Sequence, residues 1–315
     1  MPDDLTSPAA AAWPPIDAST RICAVYGQPV RHSASPAMQN AALEALELNW
    51  RYLAFEVPPE QLRTALAGAA AMRFAGLNLT VPHKLLALEM MDVLDESARV
   101  WGAVNTVRFE GRSADGGWVP VSRLPGPCAE VRMHGFNTDA DAIAAAVRED
   151  LGMELAGARV LLLGAGGAGR TAALKLAAEG VRELYLVNRT MEKAAALATE
   201  IRGRFPGVAA VEGYPAGGVD LVLNATSLGL KASDPLPFDE ARFGLGRAAA
   251  VYDMVYRPAE TGLLRAARAA GCRAANGMGM LLHQGARALE IWTGLPAPVG
   301  IMRQALAGAL ATPRS

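Results

Sequence analysis

An apolar run followed by three glycines at GxGxxG spacing, Gly164, Gly166 and Gly169, constrains the fold of this 315-residue chain more than any other feature. Residues 160–163, VLLL, have the length of a buried parallel strand, and the loop GAGGAG follows at Gly164–Gly169. Residues 170–179 favour a helix, and a second apolar run occupies 183–187. This order of strand, glycine loop, helix and strand predicts the βαβ unit of a dinucleotide-binding domain.

The glycines of this GxGxxG spacing have distinct physical roles. Gly164 allows a tight turn, Gly166 lets the backbone approach a pyrophosphate, and Gly169 lets the helix pack close to the strand. The spacing alone is a weak signal in a chain rich in Ala and Gly. The strand before the loop, together with the helix and strand after it, makes the signal strong.

The end of the second strand indicates which dinucleotide binds. Sites for NAD usually place Asp or Glu about 20 residues beyond the glycines, where the carboxylate accepts hydrogen bonds from the ribose. This chain has Asn188, Arg189 and Thr190 there, with Lys193 about one helical turn further on. A guanidinium and an ammonium suit a 2′-phosphate, so the sequence predicts NADP(H). The alternative is that Arg189 and Lys193 only begin a solvated helix.

Composition restricts the class of protein. Hydrophobic residues make up 51% of the chain, enough for two domain cores. The 30 basic residues balance 31 acidic ones, which argues against binding to nucleic acid or to an anionic membrane. The cysteines, Cys23, Cys128 and Cys272, form no pattern typical of disulfides or metal sites, so we expect no metal and a cytoplasmic location.

Alternating strand and helix patterns predict four segments. Residues 1–20 lack the pattern of a signal peptide and are predicted to be a disordered tail. Residues 21–138 contain βα units and are predicted to form a substrate-binding and catalytic domain. Residues 139–276 are assigned to the nucleotide-binding domain, and helices in residues 277–315 are expected to pack back on the first domain. Within the first domain, the polar stretch 110–127 is predicted to be an exposed hairpin or loop.

The predicted fold class is therefore α/β. An α/β substrate domain precedes a Rossmann-like, doubly wound domain, and a C-terminal helix returns to the first domain. The predicted strands include residues 21–26, 50–56, 76–80, 104–109, 220–224 and 249–253, and the predicted helices include residues 36–46, 59–71, 139–149 and 277–293.

Polar residues cluster at predicted strand ends of the first half, where open α/β sheets bind ligands. Ser33 and Ser35 come just before a helix, where hydroxyl and free N–H groups bind a carboxylate; a plain N-cap is the alternative for Ser35. Lys84 alone would be an ordinary surface lysine. The amides of Asn105 and Asn137 and the carboxylate of Asp139 suit a polyhydroxylated ring and an ammonium partner, which favours a catalytic Lys84.

Nine sequence blocks, in order, resemble the signature of the shikimate dehydrogenase family. The resemblance extends over nearly all of residues 21–293, and the blocks that carry it are HSASP (His32–Pro36), NLTVPHK (Asn78–Lys84), GAVNT (Gly102–Thr106), GFNTD (Gly135–Asp139), GAGGAG (Gly164–Gly169), NRT (Asn188–Thr190), NATSLG (Asn224–Gly229), YDMVYRP (Tyr252–Pro258) and GMGMLLHQ (Gly277–Gln284). The resemblance implies a reversible, NADPH-dependent reduction of 3-dehydroshikimate to shikimate, a step of chorismate and aromatic amino-acid biosynthesis. The enzyme would be an NADP-dependent oxidoreductase acting on a CH–OH group.

The resemblance also implies roles for individual residues. Lys84 and Asp139 match the catalytic pair. The residues that match substrate-binding positions are Ser33, Ser35, Thr80, Asn105, Tyr256 and Gln284. Those that match cofactor-binding positions are Gly164, Ala165, Gly166, Gly167, Ala168, Asn188, Arg189, Thr190, Lys193, Met254 and Gly277. In ketone reduction negative charge grows on oxygen, so a cation such as Lys84 stabilises the transition state and supplies a proton.

The chain departs from the family pattern without losing a reacting group. The stretch between GAVNT and GFNTD is longer than expected, which bears on substrate range. Lys193 stands where arginine is common, and an ammonium lacks the bidentate geometry that grips a phosphate. The other departures are Ala140, Gly262 and Met278.

Two alternatives to this function stay open from the sequence. The first is a relative that prefers quinate or an aminated analogue, or that uses NAD. The second is a non-catalytic protein that senses a metabolite with the same fold. A dehydrogenase acting on folates or aminoacyl-tRNA lacks support, because neither a basic surface nor a cysteine motif is present. A small-molecule substrate is the expected partner, with a homodimer as one possible assembly.

Overall fold

The fold is built on two β-sheets, seen in a computed structural model that describes residues 14–126 and 128–311. The strands are β1 (Arg21–Gly27), β2 (Trp50–Glu56), β3 (Gly76–Leu79), β4 (Val93–Leu94), β5 (Thr106–Arg112), β6 (Trp118–Pro120), β7 (Val131–Phe136), β8 (Arg159–Leu163), β9 (Glu183–Val187), β10 (Ala209–Glu212), β11 (Val219–Asn224), β12 (Ala248–Asp253) and β13 (Arg273–Asn276). The helices are α1 (Ser35–Ala45), α2 (Leu62–Ala71), α3 (His83–Leu86), α4 (Glu96–Trp101), α5 (Asp139–Leu151), α6 (Gly167–Ala178), α7 (Met191–Arg204), α8 (Gly262–Ala269), α9 (Met278–Thr293) and α10 (Val299–Ala311).

The second sheet has the doubly wound topology that the glycine loop predicted. Its strands are all parallel, in the order β10-β9-β8-β11-β12-β13. Successive strands are added on one side of β8 up to β10 and on its other side from β11 onwards. The switch point therefore lies between β8 and β11, and ligands bind at such a point. The apolar sequence of β8 has a simple cause: Leu161 and Leu163 face one core, Val160 and Leu162 face the other, and all four are fully buried.

The first sheet is mixed. Its order is β2-β1-β3-β5-β7-β4, with β6 paired to β5 at one end. Strands β1, β2 and β3 are parallel, as the predicted βα units require, whereas β5 is antiparallel to β3, β6 and β7. The carboxyl ends of β1 and β3 therefore lie at the same edge, next to the start of β5.

The C-terminal helices return to the first sheet, and this prediction is confirmed. Helix α9 packs against α1 and α5, and α10 packs against α1 and α9. Trp292 at the end of α9 is fully buried and donates a hydrogen bond to the carbonyl of Val107 on β5, 3.0 Å away. Gly76 on β3 leaves room for this indole, because a Cβ there would lie 2.1 Å from its nitrogen.

The structured part of the chain begins earlier than predicted. Residues 1–13 of the predicted disordered tail lie outside the described residues. The rest of that tail carries hydrogen bonds: Asn49 donates to the carboxylate of Asp17 at 3.0 Å, and the hydroxyl of Thr20 donates to Asn49 Oδ1 at 2.9 Å. The prediction of disorder to residue 20 is therefore wrong for Asp17–Thr20, because these polar groups fold onto the turn before β2.

Part of the long polar stretch, residues 110–120, forms a hairpin, which was one of its two predicted forms, although Glu110 at the base of the hairpin is buried and not exposed as predicted. Strand β5 extends to Arg112, a turn follows at residues 113–117, and β6 pairs back with Trp118 opposite Arg112. Two guanidinium groups lie over the indole of Trp118, with the Cζ atoms of Arg112 and Arg132 5.0 and 4.4 Å from the ring centroid. Pro127, which ends the predicted stretch, is outside the described residues.

Candidate active site

The glycine loop has the geometry that its sequence predicted. Gly164 adopts a φ of 104°, a conformation that disfavours residues with a side chain. A Cβ on Gly169 would lie 2.1 Å from the carbonyl oxygen of Gly164, so only glycine lets α6 approach the strand this closely. A Cβ on Gly166 would meet no atom within 4 Å, which leaves open space beside the first turn of α6.

This opening fits a pyrophosphate. No side chain of the described residues caps α6, so the backbone N–H groups of its first turn point towards the open space. Asn188, at the end of β9, accepts a hydrogen bond from the N–H of Ala165 at 3.0 Å and donates to the carbonyl of Thr190 at 2.7 Å. Asn188 thereby ties the glycine loop to the segment that carries the predicted phosphate-binding cations.

Those cations are available to a ligand. Arg189, Thr190 and Lys193 are exposed at the start of α7. Within the part of the chain that the structure describes, neither Arg189 nor Lys193 makes an ion pair. A guanidinium and an ammonium beside an open glycine loop suit a ribose that carries a phosphate.

Lys84 and Asp139 come together across the first sheet. The ammonium of Lys84 lies 2.7 Å from Asp139 Oδ2, and the two side chains are 19% and 5% exposed. Lys84 is the second residue of α3, just beyond β3, and Asp139 is the first residue of α5, just beyond β7. Both helices start at the same edge of the sheet, which places the pair at its ligand-binding end.

Asn105 lies behind this pair. Its side-chain amide donates hydrogen bonds to Asp139 Oδ1 at 2.8 Å and to the hydroxyl of Thr138 at 2.9 Å. Its carbonyl oxygen accepts the N–H of Thr138 at 2.8 Å. Asn105 is only 2% exposed, so in this structure it orients the Asp139 carboxylate.

A cavity of about 330 Å³ separates the two sheets and brings most of the predicted residues together. Its walls include the predicted residues Ser33, Ser35, Thr80, Lys84, Asp139, Ala168, Met254, Tyr256, Gly277 and Gln284. The predicted residues that do not line it are Asn105, Gly164, Ala165, Gly166, Gly167, Asn188, Arg189, Thr190 and Lys193. Apart from Asn105, these residues belong to the glycine loop or to the segment 188–193 that carries the predicted phosphate-binding cations. The arrangement therefore suits one long ligand along the loop and one small ligand in the cavity.

The serines differ from the predicted N-cap arrangement. Helix α1 begins at Ser35 itself, and among the described residues no side chain caps it. Instead, the hydroxyl of Ser33 accepts a hydrogen bond from the N–H of Ser35 at 3.3 Å. The N-cap alternative for Ser35 is therefore wrong, because that residue is already in the first helical turn. Both serines line the cavity.

Sequence reasoning missed a buried cluster that shapes the opposite wall. Asp253 accepts hydrogen bonds from the amide of Asn224 at 2.9 Å and from the hydroxyl of Thr261 at 2.6 Å. Burial raises the pKa of Asp253, although these hydrogen bonds oppose the shift. The cluster fixes the loops after β11 and β12, which place Thr226 and Met254 in the cavity wall. Asn224 and Asp253 end neighbouring parallel strands, a signal that could have paired them.

Gly277 has a steric role in the same wall. A Cβ at this position would lie 2.2 Å from the carbonyl oxygen of Met254. Only glycine therefore lets the start of α9 lie against the loop after β12.

A second missed group lies beneath the serines. Tyr52 on β2 is 1% exposed, and its hydroxyl donates to the side-chain carbonyl of Asn78 at 2.8 Å. Burial raises the pKa of Tyr52 well above its usual value, so this group stays a neutral donor. The amide of Asn78 donates in turn to Thr106 at 3.1 Å. Asn78, which lines the cavity, is thus held in one orientation.

The cavity can hold an anion at one end and stabilise growing negative charge near Lys84. In the described ranges, 14–126 and 128–311, no group of three or more His, Cys, Asp or Glu could hold a metal ion. No helix in these ranges is long and apolar enough to cross a membrane.

Three family models match parts of the chain. Residues 25–107 match a model described as the shikimate dehydrogenase substrate binding domain. Residues 145–227 match the shikimate/quinate 5-dehydrogenase model, and residues 277–307 match the shikimate 5′-dehydrogenase C-terminal domain.

Individual proteins are similar over almost the whole chain. A shikimate dehydrogenase (NADP+) of Rubrobacter xylanophilus is 42% identical over 304 residues, which cover 94% of this chain and 98% of the relative. A shikimate dehydrogenase solved with NADP+ superimposes with a TM-score of 0.81 at 32% identity, covering 96% of this chain and all of the other. The Thermus thermophilus shikimate 5-dehydrogenase, solved with NADP(H) and shikimate, has a TM-score of 0.75 at 37% identity and covers 92% of this chain and 100% of its own.

A relative with another substrate and cofactor has a similar structure. The quinate dehydrogenase of Corynebacterium glutamicum, solved with NAD, gives a TM-score of 0.75 at 31% identity over 92% of this chain and 99% of its own. Residues of the cavity, rather than the fold, therefore have to decide between substrates.

Proposed function

The chain belongs to the shikimate dehydrogenase family, and on that basis we propose that it catalyses the reversible, NADPH-dependent reduction of 3-dehydroshikimate to shikimate. The observation that carries this proposal is the Lys84–Asp139 pair, 2.7 Å apart in the wall of a cavity that is also lined by Ala168 of the glycine loop. We propose that a dinucleotide bound at this loop would extend its reactive end into the cavity. The proposal therefore joins a proton donor, a substrate pocket and a cofactor site.

The serine end of the cavity is the proposed carboxylate site. Ser33 and Ser35 offer two small hydroxyl groups beside the first turn of α1, whose N–H groups attract negative charge. Thr80, Tyr256 and Gln284 supply further hydroxyl and amide groups around the same space. These groups suit the carboxylate and ring hydroxyls of shikimate.

Lys84 is the proposed general acid. When bound, NADPH supplies the hydride. The ammonium of Lys84 stabilises negative charge on the carbonyl oxygen and donates the proton that completes the hydroxyl group. Asp139 holds this ammonium with one oxygen, while Asn105 holds the other oxygen. The proposal assigns orientation to Asp139 and proton transfer to Lys84.

Arg189 and Lys193 are the proposed contacts to the 2′-phosphate. Both are exposed, and neither forms an ion pair among the described residues, so a phosphate would gain their charge without breaking existing bridges. We propose that the backbone of Gly164–Ala168 holds the pyrophosphate and that the side chain of Asn188 holds this loop in place. Thr190, Met254 and Gly277 complete the proposed cofactor contacts.

Initial rates for shikimate and quinate, each with NADP and NAD, test the proposal. We expect the highest kcat/KM for shikimate with NADP. A higher kcat/KM for quinate with NAD would contradict it and favour the first alternative. Binding of shikimate without turnover with either cofactor would favour a metabolite sensor.

A further inference from the structure

Arg170 links the cofactor helix to a neighbouring helix of the first half of the chain. It follows the glycine loop directly, in the first turn of α6. Its Nη1 donates to the carbonyl oxygen of Trp101, the last residue of α4, at 2.7 Å. Its Nε and Nη2 donate to the two carboxylate oxygens of Glu200 on α7, at 3.2 and 2.7 Å. This bidentate contact fixes the plane of the guanidinium, so its third nitrogen points at α4.

The residue after α4 is shaped for this contact. Gly102 adopts a φ of 64°, which favours glycine. A Cβ on Gly102 would lie 2.4 Å from Nη1 of Arg170. The close approach of Arg170 to the end of α4 therefore depends on the missing side chain.

The segment that starts at Gly102 contacts both proposed catalytic residues, Lys84 at its backbone and Asp139 at its side chain. The N–H of Val104 donates to the carbonyl oxygen of Lys84 at 2.9 Å. The side chain of Asn105 donates to Asp139 Oδ1 at 2.8 Å. Val104 and Asn105 are 0% and 2% exposed, so a shift of this short segment moves both groups.

We propose that Arg170 is a positioning residue that sets Lys84 and Asp139 at a fixed distance from the bound cofactor. It acts through the carbonyl of Trp101 and the segment Gly102–Asn105. The inference rests on the proposed function, because it assumes hydride transfer between cofactor and substrate in this cavity. A displacement of reacting groups by about 1 Å costs on the order of a hundredfold in rate, so such a link has a measurable effect on kcat.

Arg204 offers a matched control. It contacts the same helix end and the same glutamate, with Nη2 2.9 Å from the carbonyl oxygen of Val100 and Nη1 2.9 Å from Glu200 Oε1. Its side chain is 34% exposed, and that of Arg170 is 31% exposed. Arg204 lies on α7 rather than on the cofactor helix, so it stabilises α4 without joining it to the glycine loop.

The test compares Arg170→Ala and Arg204→Ala with the wild type. We would measure kcat and KM for 3-dehydroshikimate, the Kd of NADPH by fluorescence, the Tm, and the primary isotope effect with NADPH deuterated at the transferred position. For Arg170→Ala we expect kcat to fall about ten- to hundredfold, the isotope effect to rise, and KM and Kd to change less than about threefold. For Arg204→Ala we expect kcat within about twofold of the wild type. Arg170→Lys, which keeps a cation near Trp101 but loses the bidentate contact, should show an intermediate kcat and serves if Arg170→Ala does not fold.

Three outcomes would overturn the inference, and a fourth would refute the proposed function instead. A wild-type kcat in Arg170→Ala would overturn the inference, as would equal losses of kcat and Tm in both alanine variants, which would indicate a purely structural role. A loss of NADPH affinity that accounts for the whole effect would also overturn it. An inactive wild type would instead refute the proposed function.

Discussion

The ammonium of Lys84 lies 2.7 Å from Asp139 Oδ2, although the two residues are 55 positions apart in the chain. Strands β3 and β7 flank β5 on its two sides, and this puts the helices that start with these residues at one edge of the sheet. Among the residues that the structure describes, neither side chain forms another ion pair. The order of strands in the first sheet therefore brings the pair together.

Removal of the Lys84 ammonium should stop turnover without unfolding the protein. For Lys84→Ala we expect kcat to fall about 10²- to 10⁴-fold, because no other cation of the cavity wall is in contact with Asp139. The Kd of NADPH, measured by fluorescence titration, should stay within about twofold of the wild type. Retained turnover would remove Lys84 from the mechanism.

Arg189→Ala should weaken NADP more than NAD. Loss of a charge-assisted contact of about 1.5–3 kcal/mol corresponds to a rise of roughly ten- to a hundredfold in the KM of NADP. The KM of NAD, which lacks the phosphate, should change little. Lys193→Ala should have a smaller effect, because an ammonium cannot bind the phosphate in a bidentate manner. Equal effects of Arg189→Ala on both cofactors would contradict the assignment.

Gly169→Ala should disrupt the cofactor loop. The added Cβ would lie 2.1 Å from the carbonyl oxygen of Gly164, so α6 must move away from β8. We expect a loss of about 1–3 kcal/mol in the free energy of unfolding, together with weaker NADPH binding. Gly203→Ala is the control: on α7 its Cβ meets nothing within 4 Å, and helix propensity should stabilise the protein by up to about 1 kcal/mol. The free energies of unfolding of both variants in urea would be compared. A loss in Gly169→Ala alone would show that the close approach of α6 to Gly164, and not glycine replacement in general, causes the destabilisation.

Glu110 should make stability depend on acid pH. Burial alone would raise its pKa, but hydrogen bonds from His134, Arg108 and Arg132 outweigh burial and lower the pKa from 4.5 to about 2. Because the folded-state pKa is the lower one, this stability is present above about pH 4.5 and is lost as the pH falls towards about 2. The shift corresponds to roughly 3 kcal/mol.

Glu110→Gln tests this contribution. We expect the variant to be less stable than the wild type at pH 7, and the difference to shrink as the pH falls through the acid range. Glu130→Gln is the control, since its carboxylate is 62% exposed and lies 3.3 Å from Arg112, and its effect should stay below about 1 kcal/mol. A pH-independent difference between wild type and Glu110→Gln would contradict the pKa shift.

The nucleotide-binding half was the most predictable from sequence. Its central strands are buried on both faces, so continuous apolar runs such as 160–163 identify them clearly. The loop is identified by glycines at positions where a side chain would not fit. The first half was less predictable beyond β3. Strand β7, VRMHGF, is only partly buried and contains charged residues, so no apolar pattern identified it. Its antiparallel pairing with β5 depends on contacts that are distant in sequence.

The candidate site also contains residues that the sequence predicted and residues that it did not. Residues that a ligand would touch, such as Lys84 and Ser33, occur in recognisable motifs. Residues that only hold others, such as Tyr52 and Arg170, escaped prediction because their partners belong to other elements. An isolated arginine after a glycine loop gives no sign that its guanidinium meets a helix end.

Transfer of deuterium from labelled NADPH tests the proposed reaction most directly. The protein would be incubated with 3-dehydroshikimate and NADPH deuterated at the transferred position, and the product would be analysed by mass spectrometry, with Lys84→Ala in parallel. We expect shikimate that carries one deuterium atom, formed by the wild type and nearly absent with the variant. Absence of labelled shikimate from the wild-type reaction, or equal formation by Lys84→Ala, would contradict it.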